Sequence, residues 1–391
     1  MAHAVPYTLF RSGTSKGPLF LRKALEAVPK SANGLLVRGV DRLEHIAATL
    51  VGSGHPYGVD GLGGGRSSTN KSIIVSGSTV EGSDVDCLFV QSRINTFGVD
   101  GSHGDCGNMV ASVGAFAIEK GLVMPAVPST RVRVRSLNTG TRYEIKVQTK
   151  GLPGPGGVVG GVPRVQYSGD QVIAGVDGTG SPVVVTAKGM AGTLGRGILP
   201  TGNASDLVSV SSGRKVRVSC VDFSRPMVLV ACDDLGLTGS ETKLELDADT
   251  GLMDLAEEVR REAAMKMGMG NVEGMTSPKI ACVSPGAGGA NINTRYFTDP
   301  SQWDLHYALA MTACQCLGAA SLIDGTVASE IASGLPTDSL SPADGDHEVI
   351  VSHPSGSSQV KIVAENGELV AASYVRTVRK IAEGSAFYPL E

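Results

Sequence analysis

Apolar and polar positions change over in short runs through the first half of the chain. Ser72–Ser76 and Val85–Val90 are apolar runs bounded by Gly, Ser and Asp, the pattern of sheet strands. Arg131-Val-Arg-Val-Arg135 alternates charge with valine, which predicts a strand with one wet face. Tyr143–Val147 reads as its hairpin partner across the turn Asn138-Thr-Gly140. The stretch Gly151-Leu-Pro-Gly-Pro-Gly-Gly157 suits neither a helix nor a central strand, because Pro lacks a donor and Gly costs backbone entropy. It predicts a loop near a domain junction. Further strands are expected at Pro182–Ala187, Lys215–Val221 and Met227–Ala231.

Two segments break this rhythm. Asn108–Lys120 follows Cys106-Gly107 and stops at Gly121, a helix C-terminal glycine. Its small and apolar residues run nearly all the way round. Leu305–Ile323 does the same and stops at Asp324-Gly325. A helix apolar on every side must be buried on every side. Asp254–Met267, which carries Glu257, Glu258, Arg260, Arg261 and Glu262, reads instead as a solvated surface helix. One buried helix in each half, amid short strands, predicts a two-lobed α+β protein with two sheets that each wrap a central helix.

Composition narrows the class. The 391 residues suit one large domain or two medium ones, and a net charge of -4 leaves no basic surplus for a phosphate backbone. General nucleic-acid binding is therefore not expected. The 52 glycines are nearly twice the usual share of about 7%, which points to many turns and close backbone approaches. No apolar run approaches the roughly 20 residues that span a bilayer, and the N-terminus shows no signal-peptide pattern. Seven dispersed cysteines fit free thiols in a reducing compartment better than a disulfide framework, so the expected location is cytoplasmic.

Three clusters could carry chemistry. Arg11-Ser-Gly-Thr-Ser-Lys-Gly17 and Gly61-Leu-Gly-Gly-Gly-Arg-Ser-Ser-Thr-Asn-Lys71 resemble phosphate loops, yet neither has the GxxxxGK[ST] spacing and no GxGxxG is complete. They offer backbone N–H groups, hydroxyls and lysines in compact loops, which suits carboxylates as well as phosphates. Taken singly, each also fits a plain tight turn. In Gly104-Asp-Cys-Gly-Asn108, a thiol stands at a helix N-terminus, where the macrodipole lowers a thiol pKa and free N–H groups bind anions. His103, three residues from Cys106, raises a Cys–His hydrolase, but no orienting group accompanies it. Cys314-Gln-Cys316 is a lone CxC on the apolar helix with no second pair at ligand spacing, so no metal site is expected.

The motifs acquire meaning together. Arg11–Gly17, Gly64–Lys71, Gly104–Asn108 with Val113–Ala117, Pro200-Thr-Gly-Asn203 with Asp206, Pro278-Lys279, His306, Gly325-Thr-Val327, His353-Pro-Ser-Gly356, and Arg376 with Arg379 and Gly384 occur in this order. The chain thereby resembles the PrpF family, the methylaconitate isomerase group of the diaminopimelate epimerase-like superfamily, from about residue 7 to its end. The resemblance implies two pseudo-symmetric lobes, each a curved, mainly antiparallel sheet around a central helix, with the active site in the cleft between them. The lobes would be residues 1–185, to which a strand at about 378–391 returns, and 186–377 around a helix at about 305–323.

The same resemblance implies cofactor-independent allylic isomerisation of unsaturated di- and tricarboxylic acids, by 1,3-proton transfer or cis/trans exchange through a dienolate. Its acid/base pair carries over to Lys71 and Cys106. Carboxylate-binding candidates are Thr14, Ser15, Lys16, Arg66, Ser67, Ser68, Thr69, Gly107, Asn108, Met311 and Thr312; no metal and no cofactor is implied. Arg66 replaces a small residue of relatives, and Ala310-Met311-Thr312 stands where relatives often have Gly-Thr. Asp105 stands where relatives often have Asn, which is expected to raise the pKa of the adjacent thiol. The expected partner is a small di- or tricarboxylate, not nucleic acid or membrane, and a homodimer is compatible with the resemblance. A same-superfamily amino-acid epimerase would need a second cysteine near Ala310, where there is none. A non-catalytic polycarboxylate binder is the rival from another class.

Overall fold

The chain begins as a hairpin. In the computed structural model, β1 (Ala2–Ser12) and β2 (Ser15–Leu21) pair antiparallel about Gly13-Thr14. Residues 2–29, 41–101, 104–151, 162–299, 304–336 and 342–390 are described; His103 and all of the Gly151–Gly157 run after its first residue lie outside them. After α1 (Arg22–Glu26) and α2 (Arg42–Val51), β3 (Lys71–Gly77) lies parallel to β2 and β4 (Val85–Gln91) returns antiparallel. The helix α3 (Gly107–Glu119) crosses over to β5 (Ser129–Ser136), parallel to β4, and β6 (Arg142–Lys150) completes an antiparallel pair. The short β7 (Arg164–Val165) borders β6, β8 (Gln171–Val172) pairs with β9 (Thr179–Gly180), and β10 (Pro182–Lys188) leads onward.

The second half follows a matching course. β11 (Asp206–Ser209), β12 (Lys215–Phe223) and β13 (Arg225–Ala231) form an antiparallel meander. Next come α4 (Lys243–Ala248), α5 (Thr250–Lys266) and β14 (Lys279–Pro285), which is parallel to β13. β15 (Ile292–Asp299) is antiparallel to β14 and carries the two-residue β16 (Asp304–Leu305). The helices α6 (Met311–Ala320) and α7 (Val327–Ile331) cross over to β17 (Gly345–His353), parallel to β15. β18 (Gly356–Glu365) follows antiparallel, and β19 (Glu368–Pro389) pairs first with β18 and then with β1.

The chain divides into two units, Met1–Thr186 with Val375–Glu391, and Ala187–Tyr374. Within the first, successive pairings from β1 to β6 run antiparallel, parallel, antiparallel, parallel, antiparallel. Within the second, β12, β13, β14, β15, β17 and β18 repeat that order. Parallel neighbours need a crossover, and helices occupy each of these. The last crossover of each unit holds the all-round apolar helix. All twelve residues Gly107–Ile118 of α3 are buried, and it packs on β1, β2, β3, β5, β6 and β7. All ten residues of α6 are buried, and it packs on β12, β13, β17 and β18.

Strand patterns follow from what covers them. β3 and β4 carry α2, and β3 also touches α3, so both read as continuous buried runs. β5 and β6 support α3 and alternate buried with wetter positions, as the Arg-Val repeat requires.

Two expectations need correction. The helix foreseen over Leu305–Ile323 begins at Met311 and ends at Ala320. Leu305 pairs with Phe297 as strand, and the Ala308 N–H turns back onto His306 Nδ1 at 3.0 Å, so residues 305–310 are unavailable to a helix. α5 is solvated on one face only. Leu252, Met253, Ala256, Val259 and Ala263 join the core, and Arg260 is buried among Glu257 and the carbonyls of Val272 and Pro278.

Candidate active site

Lys71 is the first residue of β3 and Cys106 is the N-cap of α3. The Lys71 Nζ donates to Cys106 Sγ at 3.4 Å, and the Ser15 hydroxyl lies 3.9 Å from the same sulfur. Lys71 Nζ also stands 6.0 Å from the centre of the Phe89 ring. Burial pushes the Cys106 thiol up. The Lys71 ammonium, the Met109 N–H dipole and the Ser15 hydroxyl more than offset it, so the thiol lies below its ordinary value. Cys87 shows the contrast: burial, with Asp105 and Asp86 nearby, drives it well above that value.

The loop before Lys71 is pinned from within. Asn70 Oδ1 accepts from the N–H groups of Gly64 and Gly65 at 3.1 and 3.0 Å. The Asn70 carbonyl accepts from Gln91 Nε2 and from the Ser92 N–H, each at 3.0 Å. Gln91 Nε2 also reaches the Ser67 carbonyl at 3.3 Å. The hairpin turn joins the same assembly, since the Lys16 N–H donates to the Ser68 carbonyl at 3.0 Å and Lys16 Nζ lies 3.5 Å from the Gly63 carbonyl.

Cys106 is held from the other side. The buried Asp105 carboxylate accepts from the hydroxyls of Ser136, Thr139 and Tyr143 at 2.6, 2.7 and 2.7 Å. Burial raises its pKa, against those three donors. Its charge adds to the rise of the Cys87 thiol, whereas the net shift of the Cys106 thiol is downward, with the Lys71 ammonium the largest lowering influence. The side chain turns into the β5–β6 hairpin and anchors the residue before the thiol.

Asn108, in the first turn of α3, is committed to protein. Its Nδ2 donates to Thr14 Oγ1 at 3.0 Å, its Oδ1 accepts from Arg376 Nε at 2.8 Å, and its carbonyl accepts from the Ser12 hydroxyl at 2.5 Å. Ser15 is buried, and Thr14, Lys16, Ser67, Ser68 and Thr69 are partly buried. The Thr69 hydroxyl rests on the Arg66 carbonyl at 3.2 Å, and the Arg66 side chain is exposed. Met311 and Thr312 form the buried first turn of α6, in the second unit. Asn70, Gln91 and Arg376 hold the site and were not singled out as site residues from sequence. Asn70 stands beside Lys71 in the same motif and Arg376 belongs to the last motif of the series, whereas Gln91, on β4, leaves no local signal.

Among the described residues, no three of His, Cys, Asp and Glu converge closely enough to hold a metal ion. Among the same residues, no helix is long and apolar enough to cross a membrane.

The architecture matches that of a known isomerase. The crystal structure of methylitaconate-delta-isomerase matches with a TM-score of 0.74 and 29% identity, covering 99% of this chain and 96% of that one. The chain belongs to the PrpF family, whose model, described as PrpF protein, matches residues 2–389. The 4-oxalomesaconate tautomerase of Pseudomonas putida is 34% identical over 381 residues, 97% of this chain and 95% of that protein. The 2-methyl-aconitate isomerase of Shewanella oneidensis is 31% identical over 413 aligned positions, 98% of this chain and 97% of that protein.

Proposed function

We propose that the chain is a cofactor-independent allylic isomerase of unsaturated di- and tricarboxylic acids of the aconitate, methylaconitate, oxalomesaconate or methylitaconate type. The observation that carries this reading is the 3.4 Å contact between the Lys71 ammonium and the Cys106 sulfur, at the N-terminus of a buried helix. The names of the relatives, each an isomerase or tautomerase of such an acid, point the same way.

Moving a double bond along a carboxylate-substituted chain removes a proton from one carbon and returns one to another. The Cys106 thiolate takes the allylic proton and becomes a thiol. The resulting dienolate carries its added charge on a carboxylate, where the Gly107 and Asn108 N–H groups stabilise it. The Lys71 ammonium delivers a proton to the far carbon and becomes an amine. A proton crossing from sulfur to nitrogen then restores the starting pair, and no proton is gained or lost overall. The same dienolate, protonated after rotation, gives cis/trans exchange.

The substrate's carboxylates are assigned to Thr14, Ser15, Lys16, Arg66, Ser67, Ser68 and Thr69, with Met311 and Thr312 at the second helix. We assign the fold as two matching lobes of the diaminopimelate epimerase-like kind, 1–185 with the returning strand and 186–377, each sheet wrapped on its helix. The repeated strand order and the complete burial of α3 and α6 support this. The proposed location is the cytoplasm, and a homodimer remains compatible. Against a two-thiol epimerase, the N-cap of α6 is Ala310, and Cys314 and Cys316 are buried deeper in the helix. Burial pushes Cys316 up to about 12.

The test is a proton NMR screen of aconitate, methylaconitate, oxalomesaconate and methylitaconate in deuterated buffer. At least one acid is expected to lose its allylic signal to deuterium and to yield an isomer. Failure of all four to exchange overturns the reading, and binding without exchange makes the chain a polycarboxylate binder.

A further inference from the structure

Four arginines of the described residues are at least nine-tenths buried, and in three of them Nε is hydrogen-bonded. Arg260 meets the Glu257 carboxylate and two carbonyls. Arg295 meets the carbonyls of Glu241 and Thr294 and the Asn293 side chain. Arg376 meets Asn108 and the Val375 carbonyl. Arg225 is different. It is 7% exposed, its Nε has no hydrogen-bond partner, and Nη1 reaches only the Tyr296 hydroxyl, at 3.5 Å. Among the described residues no carboxylate lies within salt-bridge reach of it; neighbouring Asp222 is taken up by the Thr193 hydroxyl and the Leu194 N–H, each at 2.7 Å. A guanidinium taken out of water without an anion is costly, and such groups are normally paired.

Its place in the second unit supplies the reason. Arg225 opens β13 at the tip of the β12–β13 hairpin, after Ser224, which holds a φ of +67° that non-glycine residues avoid. β12 runs back along the helices from α7 to the start of α6. Arg217 pairs with Glu330, the Ser219 hydroxyl accepts from the Val327 N–H, and Val221 faces Cys316. The tip therefore lies beside the first turns of α6. Tyr296 leads to the same point, because its ring neighbours His306, four residues before the helix N-cap. That N-cap, Ala310, has no side chain to satisfy the first N–H groups. Gln315, one turn in, presents a buried Nε2 with no partner, and helix side chains lean toward the N-terminus. Tyr307, stacked on His306 and 38% exposed, gives the cluster its edge on solvent.

We propose that Arg225, aided by the Tyr296 hydroxyl and Gln315 Nε2, is the charged anchor of the carboxylate site assigned above to the first turn of α6 in the second unit. The guanidinium's Nε edge offers the fork that grips a carboxylate, and the helix N-terminus adds donors and a favourable dipole. The ligand class, a carboxylate of an organic polyacid, rests on the isomerase reading; the site itself rests on the unpaired charge.

The probe is tricarballylate, a saturated tricarboxylate with no allylic proton, titrated calorimetrically into the full chain. The wild type is expected to bind it, and Arg225→Gln to bind it at least ~10-fold more weakly, the scale of removing a charged partner from a buried pair. Tyr296→Phe is expected to weaken it by a smaller factor, and Arg225→Lys, which keeps the charge but not the fork, to fall between wild type and Arg225→Gln. An unchanged melting temperature and unchanged Cys106 alkylation show that a variant is folded. If Arg225→Gln does not fold, Arg225→Lys and Tyr296→Phe carry the test, and wild-type affinity in both overturns the proposal. No binding by the wild type, or equal binding by Arg225→Gln, also overturns it. Binding lost in Arg225→Gln while the wild type exchanges deuterium into none of the unsaturated acids leaves this site standing and removes the isomerase reading.

Discussion

The carbonyl oxygen of Lys71 lies 2.1 Å from where a Cβ on Gly17 would sit, and the Met109 methyl lies 3.0 Å from the same point. β2 can therefore run beside the start of β3 only with no side chain at residue 17. Gly17→Ala must push the Lys71 backbone, since a backbone oxygen cannot rotate away. A displacement near 1 Å of a reacting group costs on the order of 100-fold in rate. Turnover of Gly17→Ala is expected to fall by at least ~10-fold while the protein stays folded. Steady-state rates beside circular dichroism decide this, and full activity would show that Lys71 need not keep its place.

Direct removal of either member of the pair is the stricter test. Lys71→Met and Cys106→Ala are each expected to lower turnover by at least ~100-fold, the usual contribution of a positioned acid or base. The double variant should be little worse than either single one, because the proposed mechanism puts both groups on one proton circuit. Turnover near wild type in both single variants removes them from the chemistry.

The pH dependence of thiol reactivity follows from the sign of the Cys106 shift. Its pKa lies below the ordinary thiol value, so the thiolate persists to lower pH than in an unperturbed cysteine. Alkylation by iodoacetamide should therefore reach half its plateau below about pH 8.5, the value for a free thiol. Lys71→Met deletes the largest lowering influence and should move the midpoint up; Ser15→Ala should move it the same way by less. A midpoint in Lys71→Met equal to that of the wild type contradicts the assigned cause.

Much of the first unit's framework can be read from local pattern, because each strand's burial follows from what covers it. The Arg-Val alternation of β5 betrays one wet face, and the unbroken apolar character of α3 betrays burial on all sides. The start of α6 could not be read so. Its first expected turn is drawn into a pairing with β15 and a turn around His306, both tertiary choices. Spacing says nothing about the return of β19 to β1, where Ala2 faces Pro389. Nor does it place Lys71 against Cys106, 35 positions apart, or Arg376 against Asn108, 268 apart. Asp105 shows the remaining gap: its neighbour in sequence is the thiol, but its side chain belongs to the β5–β6 hairpin.

That geometry makes separable predictions for Asp105. Because its carboxylate is held by three hydroxyls of the β5–β6 hairpin, Asp105→Asn is expected to move the alkylation midpoint of the thiol by less than Lys71→Met does. Its own pKa is raised by burial, so the folded state favours the protonated form. This contribution to stability is present below the unfolded value of about 4 and is lost as pH rises through the folded one. Melting temperatures of wild type and Asp105→Asn should therefore diverge in the variant's favour as pH climbs from about 4 toward neutrality. Asp105→Ala strands three hydroxyls and is expected to cost about 1–3 kcal/mol for each that finds no new partner. A midpoint lowered in Asp105→Asn as far as Lys71→Met raises it would make the carboxylate's charge an equal influence on the thiol.

The paired buried helices supply a final comparison. Gly114 is the eighth residue of α3 and Gly318 the eighth of α6. A Cβ on Gly114 would meet Val147 Cγ2 at 2.8 Å and Ile145 Cγ2 at 2.9 Å, and one on Gly318 would meet Val360 Cγ1 at 2.7 Å. Val147 and Ile145 lie on β6, Val360 on β18, and these strands hold matching places in the two sheet orders. Each glycine thus lets its helix settle against the strand that closes the repeated order of its own unit. Alanine favours a helix by up to about 1 kcal/mol over glycine, while overpacking a tight core costs about 1–3 kcal/mol. The clash is with β-branched side chains fixed on a strand, so the packing cost wins. Gly114→Ala and Gly318→Ala are each expected to lower stability, by similar amounts, in chemical denaturation. In Gly318→Ala, restoring room with Val360→Ala should recover part of the loss despite deleting buried carbon. Stabilisation by either alanine would mean that the helix stands farther from its strand than the carbon positions place it.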